Sequence, residues 1–151
     1  MEPLMLVSLD GSKISDFKSF LGELSATLAD AEQPVYFGWE LHSLGDCLQG
    51  GYVGNPPYDI EVRNAERMIA AFGHAGMSSY CTAMLRVIDG GGRGLVQEES
   101  REWLAAAQRS ADREEGPTLL DALFDVFRAA PATIRLISAD GRELGSATGR
   151  V

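Results

Sequence analysis

Four side chains bound the chemistry this chain can do by itself: His42, His74, Cys47 and Cys81, the only two histidines and two cysteines in 151 residues. A covalent or acid–base mechanism needs a nucleophile beside a base, and the base beside a group that orients it. His42 and Cys47 are the one such pair close in sequence. They stand five residues apart in a stretch that reads as helix, which turns them about 140° from one another, so they do not share a face. The cysteine spacing fits no zinc motif, two cysteines make no disulfide scaffold, and no acidic cluster has metal-ligand spacing. His74 follows Gly73 in an expected loop and reads as a surface residue. Gly90-Gly91-Gly92-Arg93-Gly94 lacks the Lys-Ser/Thr pair of a P-loop and the preceding strand of a dinucleotide-binding turn, so it reads as a connector. Neither a metal nor a cofactor is expected, and the chain reads as a protein that does not catalyse.

The remaining candidate is a carboxylate. Glu40 to Gln49 reads as a helix in which Leu41, Leu44 and Leu48 form one narrow stripe, at about 100° per residue. Asp46 falls on the opposite side. His42 lies one turn before it, a neighbour at i, i+4. Cys47 borders the leucine stripe and reads as a packed thiol. Gly50-Gly51 closes the helix. The chain carries 22 acidic against 13 basic residues, a net charge of −9. That balance disfavours nucleic acid and anionic membranes and favours a basic protein partner through long-range attraction, although solubility alone also selects for acidic surfaces.

The elements that must hold this helix follow from periodicity. Leu4 to Leu9 is a short apolar run ending at Asp10-Gly11, a first strand and turn. Phe17, Phe20, Leu21, Leu24 and Leu28 keep helical spacing, with Ser15 as the expected N-cap. Tyr58, Ile60 and Val62 alternate with Asp59 and Glu61, a half-exposed second strand. A helix is expected from about Asn64 to Phe72. Met77, Tyr80, Cys81, Met84, Leu85 and Ile88 keep helical spacing, and Glu98 to Arg113 is an alanine-rich, charged helix anchored by Trp103 and Leu104. That apolar surface predicts that residues 73–116 fold onto the body. Thr118 and Asp121 form a capping box for a helix whose apolar face is Leu120, Leu123, Phe124 and Phe127. Thr133 to Ile137 is a third strand, and Asp140-Gly141 turns the chain into a hairpin ending near Leu144. Strands separated by helices imply parallel crossovers. The expected class is therefore α/β, with helices over a mostly parallel sheet of about three strands. Glu2 and Pro3 stand where a signal peptide needs positive charge, and no apolar run approaches a membrane span. The expectation is a cytoplasmic protein whose two cysteines are not bridged.

The segment YFGWELHSLGDCLQGG, residues 36–51, resembles the central motif of the barstar family: a Tyr-aromatic-Gly turn leading into a helix with an Asp-Cys-Leu run and a closing Gly. The matching residues are Tyr36, Phe37, Gly38, Leu41, Leu44, Asp46, Cys47, Leu48 and Gly50. The flanks LDGSKISDFKSFLGEL, PYDIEVRNAERM, TLLDALFDVFRAA and TIRLI are similar to the family's other elements. The resemblance implies a barstar-like small three-stranded parallel sheet covered by helices, in a single domain over 1–151. Its core would be about 4–72 and 117–137, with residues 73–116 as an extra helical insertion. It also implies an inhibitor of a basic, secreted-type ribonuclease, plugging the enzyme's active site with the acidic loop and helix. Asp46 would stand in for a substrate phosphate, and the partner-binding residues would be Tyr36, Trp39, Glu40, His42, Asp46, Gln49 and Gly50. Three residues depart from the family pattern. His42 replaces an acidic contact, Gly45 replaces a Trp on the interface side, and Ala129 falls where a contacting Glu is usual. The alternatives are a non-inhibitory interaction domain on the same scaffold, or an enzyme assembled from 73–116. A binding module predicts a flat acidic face, and an enzyme a concave polar pocket near 73–116.

Overall fold

A computed structural model describes residues 5–28, 41–48, 58–90 and 98–149. Four strands form one sheet in the order β1 (Met5–Asp10), β2 (Tyr58–Arg63), β3 (Ala132–Ile137) and β4 (Glu143–Thr148). β1, β2 and β3 run parallel, with Val7 beside Ile60 and Ile60 beside Ile134. β4 returns antiparallel to β3. The sheet is thus one strand wider than the three expected, and the hairpin runs through Thr148 rather than stopping near Leu144. The reason is compositional: Gly145-Ser146-Ala147-Thr148 carries little apolar signal, and only Ala147 of β4 is buried. The turn is held by its own side chains. Ser138 Oγ donates to Asp140, Ser138 Oγ also accepts from the Arg142 amide, and Gly141 takes a φ of +90°. The Ser138 hydroxyl first, and the Arg142 guanidinium donating to the same carboxylate at 3.0 Å second, hold the Asp140 carboxyl below its ordinary value.

The strands alternate strictly. Val7, Leu9, Tyr58, Ile60, Val62, Ala132, Ile134 and Leu136 are buried on one face. The other face carries Ser8, Asp59, Glu61, Thr133 and Arg135, with the Arg135 guanidinium on the Asp59 carboxylate at 3.2 and 3.3 Å. Helices cover the apolar face because each brings its own stripe. α1 (Phe17–Leu28) buries Phe17, Phe20, Leu21 and Leu24. Its cap is Asp16, not Ser15. The Asp16 carboxylate accepts from the Ser19 amide at 2.7 Å, and Ser19 Oγ accepts from both Ser15 and Asp16 amides. α2 (Leu41–Leu48) buries Leu41, Leu44 and Leu48.

The long connection from β2 to β3 carries four helices among its described residues. α3 (Glu66–Ala71) turns sharply into α4 (His74–Asp89), followed by α5 (Glu98–Asp112) and α6 (Leu119–Arg128). His74, expected in a loop, is the first residue of α4, with Gly73 as its extended N-cap. α4 buries Met77, Tyr80, Cys81 and Met84. α5 packs on α4 through Leu104 and Ala111, with polar pairs Ser78–Asp112, Thr82–Gln108 and Asp89–Arg101 alongside. Trp103, expected as an anchor, is 52% exposed. The row that meets α4 is Leu104, Ala107 and Ala111, and Trp103 lies about 100° away from Leu104 around the helix.

α6 shows the expected capping box: Thr118 Oγ1 accepts from the Asp121 amide at 3.1 Å, and the Asp121 carboxylate accepts from the Thr118 amide at 2.9 Å. Its buried stripe is Leu119, Leu123 and Phe127, rotated slightly from the expected one, so that Leu120 and Phe124 are only partly buried. Phe124 instead packs beside Gly145 of β4.

The corner between α3 and α4 is where these pieces lock. The Leu120 amide donates to the Phe72 carbonyl at 2.8 Å, and His74 Nε2 lies 3.0 Å from the Gly116 carbonyl. Gly76 sits so close to α3 that a Cβ there would overlap the Ala71 carbonyl oxygen, with a Leu119 methyl on its other side. Gly76→Ala should therefore cost about 1–3 kcal/mol, the usual range for forcing extra volume into a packed contact. Urea denaturation measures it, and an unchanged midpoint would show that the corner opens freely.

Candidate functional site

α2 has eight residues, LHSLGDCL, and a glycine near its middle. An isolated helix of that length does not form in water, so its place is set by what it buries. Leu44 and Leu48 are completely inaccessible and Leu41 nearly so. With one side of the helix fixed on the core, backbone geometry puts position 46 about 160° from the centre of that stripe. Position 42 lies one turn earlier on the same side. The structure thus brings positions 42 and 46 together on one face of α2. The side chains of His42, Asp46 and Cys47 lie outside the described residues. So do Tyr36, Trp39, Glu40, Gln49 and Gly50 altogether.

Two neighbours hold α2. Along its flank lies α6: a Cβ on Gly45 would stand 3.5 Å from Val126 Cγ1, an ordinary contact distance. Position 45 therefore looks toward α6. Ala122 and Val126 fall in one row on α6, and Ala129, the exposed C-cap of that helix, continues the row. The acids of α6 are engaged locally: Asp121 caps the helix, and Asp125 pairs with Arg128 at 2.9 Å.

The second neighbour is α4. The Leu41 amide, at the start of α2, donates to Tyr80 Oη at 2.8 Å, and both residues are buried. Read by spacing alone, Tyr80 is one more core residue of a helix 39 positions away. The one sequence signal of its role is a gap: Phe37-Gly38-Trp39-Glu40 offers none of the Ser, Thr, Asp or Asn residues that cap a helix best.

Of the four residues that bounded the chemistry, the side chains of His74 and Cys81 are described, and both are placed for structure. Cys81 is a free, fully buried thiol beside Met77. Burial, and then the charge of Asp112, push its pKa up to about 11. His74 joins α4 to the turn at Gly116. Among the described residues no three His, Cys, Asp or Glu side chains group as metal ligands. A cavity of about 610 Å³ does open between α1 and α4. Its walls are mainly apolar, with Phe17, Tyr80, Met84 and Val87 prominent and Asp16 and Lys18 as its charged residues. The polar pocket that an enzyme in this region predicts is a different kind of site.

Comparison with known proteins agrees with the motif in α2. The model of the family described as Barstar (barnase inhibitor) matches residues 4–116, more than half of the chain. The match runs on through α4 and α5, in the stretch expected as an insertion, and ends ahead of α6 and β3. No curated protein matches the chain.

Two outcomes follow. Gly45→Ala adds a methyl that fits against Val126 and removes the backbone freedom of a mid-helix glycine. It should stabilise the protein by about 0.5–1 kcal/mol, read as a higher urea midpoint; a lower midpoint would mean that α2 and α6 are closer than an ordinary contact. Cys81 should resist a thiol reagent at neutral pH in the folded protein and react fully in denaturant. Fast native labelling of Cys81, mapped by peptide mass, would contradict its burial.

Proposed function

The chain belongs to the barstar family, and from that premise we propose that it binds a basic ribonuclease and blocks its active site with α2 and the loop before it. Members of the family act as inhibitors rather than enzymes. The observation that supports the reading is the burial of Leu41, Leu44 and Leu48, which turns the opposite side of α2, and position 46 with it, away from the core. A ribonuclease holds its substrate's phosphate with Arg, Lys and His. A carboxylate carried on a fixed helix offers the same charge and acceptor oxygens to those donors. Asp46 is that carboxylate in this reading, and Tyr36, Trp39, Glu40, His42, Gln49 and Gly50 are its surroundings. The net charge of −9 speeds encounter with a cationic enzyme. A reducing cytoplasm, where such an inhibitor protects its own cell, suits the free Cys81. No described helix is long and apolar enough to cross a membrane.

His42, Gly45 and Ala129 favour a target whose surface differs from that of barnase, since each departs from the family's contact pattern. The same three residues support a second reading, in which the scaffold holds some other protein without inhibiting it.

The test starts with capture of partners from a lysate of the source organism on the wild-type chain and on Asp46→Ala. A basic ribonuclease should be retained by the first and lost by the second, and RNA hydrolysis by that enzyme should stop when wild-type chain is added. Asp46→Ala should weaken binding about a hundredfold or more, mostly through faster dissociation, because it strands the enzyme's buried cations. Glu32, an acid ahead of the motif and outside the contact set in this reading, acts only at long range, so Glu32→Ala should slow association only, and salt should abolish the difference. Affinity should fall as pH drops through about 6–7, as His42 gains a proton and competes for Asp46, and His42→Ala should remove that slope. Binding by Asp46→Ala within a factor of about 3 of wild type, under 1 kcal/mol, would overturn the phosphate-mimic reading.

A further inference from the structure

We propose that Tyr80 is a positioning residue for the partner-binding helix: from α4 it caps α2 in trans and so sets the angle at which α2 meets its target. The inference rests on the reading of α2 as the binding element. The first backbone N–H groups of any helix have no acceptor within it. The residue before α2, Glu40, is not among the preferred caps. The first amide of the helix is instead met by the Tyr80 hydroxyl at 2.8 Å, in a buried setting where water does not substitute.

Tyr80 is itself aimed. Its ring stands edge-on to Phe17 of α1, with centroids 5.2 Å apart and planes at 86°. The same ring lines the cavity between α1 and α4 together with Ala83 and Met84. Close packing therefore does not enclose it on every side, and the bond to Leu41 and the Phe17 contact are two of the interactions that place it. Besides burying its leucines, α2 faces Val126 at Gly45, and Tyr80 fixes its first residue through a directional bond. This gives residues 73–116 a part in binding: α4 carries the cap, and α5 backs α4 through Leu104, Ala111 and the Ser78–Asp112 and Thr82–Gln108 pairs.

Preorganisation acts on affinity by removing the cost of ordering at the moment of binding. Tyr80→Phe keeps the ring on Phe17 and removes the hydroxyl, and with it the acceptor of the Leu41 amide. Amide hydrogen exchange on the full chain, free in solution, reads this without a partner. In Tyr80→Phe, exchange at Leu41 and through α2 should speed up about tenfold or more while Leu24, Ile60 and Ile134 keep their protection. Phe17→Leu is the control: it weakens the core as a whole, so protection should fall in all of these places together. With the captured ribonuclease, Tyr80→Phe should dissociate several-fold faster at an unchanged association rate. Unaltered exchange at Leu41 in Tyr80→Phe overturns the cap. Faster exchange with an unchanged dissociation rate overturns the positioning role. Faster exchange and faster dissociation while Asp46→Ala still binds as wild type would keep Tyr80's role and reject only the phosphate-mimic reading.

Discussion

An eight-residue helix with a glycine inside it has no stability of its own, and the function proposed for this protein depends on that helix being fixed in place. α2 exists because Leu41, Leu44 and Leu48 find space on the core that α6, the sheet and α4 leave open. Each fully buried leucine contributes about 1.5–3 kcal/mol, well beyond what one such short helix lacks in propensity. The leucines also decide which residues are left over. Once they point inward, position 46 has one direction available, and the rest of the fold serves to keep the receiving surface rigid.

That surface is built on α6, which touches β3, β4, α2 and α4. Its stripe of Leu119, Leu123 and Phe127 faces the sheet, Phe124 reaches β4 on one flank, and Val126 meets α2 on the other. The α3–α4 corner then orients α6 through the Leu120–Phe72 bond and the close approach at Gly76. A partner pressing on α2 would therefore push against a frame drawn from both sides of the connection between β2 and β3.

Much of this was legible locally. The alternation of Tyr58, Ile60 and Val62 marked a strand with one apolar face, and Thr118 with Asp121 marked the start of α6, because both signals are carried by neighbours in sequence. The leucine stripe of α2 was legible for the same reason. The misreadings had physical causes. Ser15 and Asp16 are adjacent cap candidates, and the Ser19 bonds that choose between them need the backbone already folded. Trp103 is the largest side chain of α5, whereas α5 meets α4 through Leu104, Ala107 and Ala111, a row slim enough to let the two helices approach. The second half of β4 was hidden by Gly145 and Ser146, whose strand state is imposed by β3. The Tyr80 cap lay beyond any local pattern, since donor and acceptor are 39 residues apart, with β2 and α3 between them. Tyr36, Trp39, Glu40, Gln49 and Gly50 are expected at the site from the motif alone.

The register of the sheet has a consequence for how the chain comes together. β2 sits between β1 and β3, yet Ile60 finds its partner Ile134 only after α3, α4, α5 and α6 have been laid down. Closing so long a loop is entropically slow, and pairings distant in sequence set the pace of folding. During synthesis β1 and β2 leave the ribosome well before β3, with one edge of β2 open and its apolar face bare. α4 and α5 are mostly local structure and pack chiefly on each other, so they form early, before α6 and β3 arrive. On this view the helices between β2 and β3 act in time as well as in space, readying the place that the last parallel strand takes.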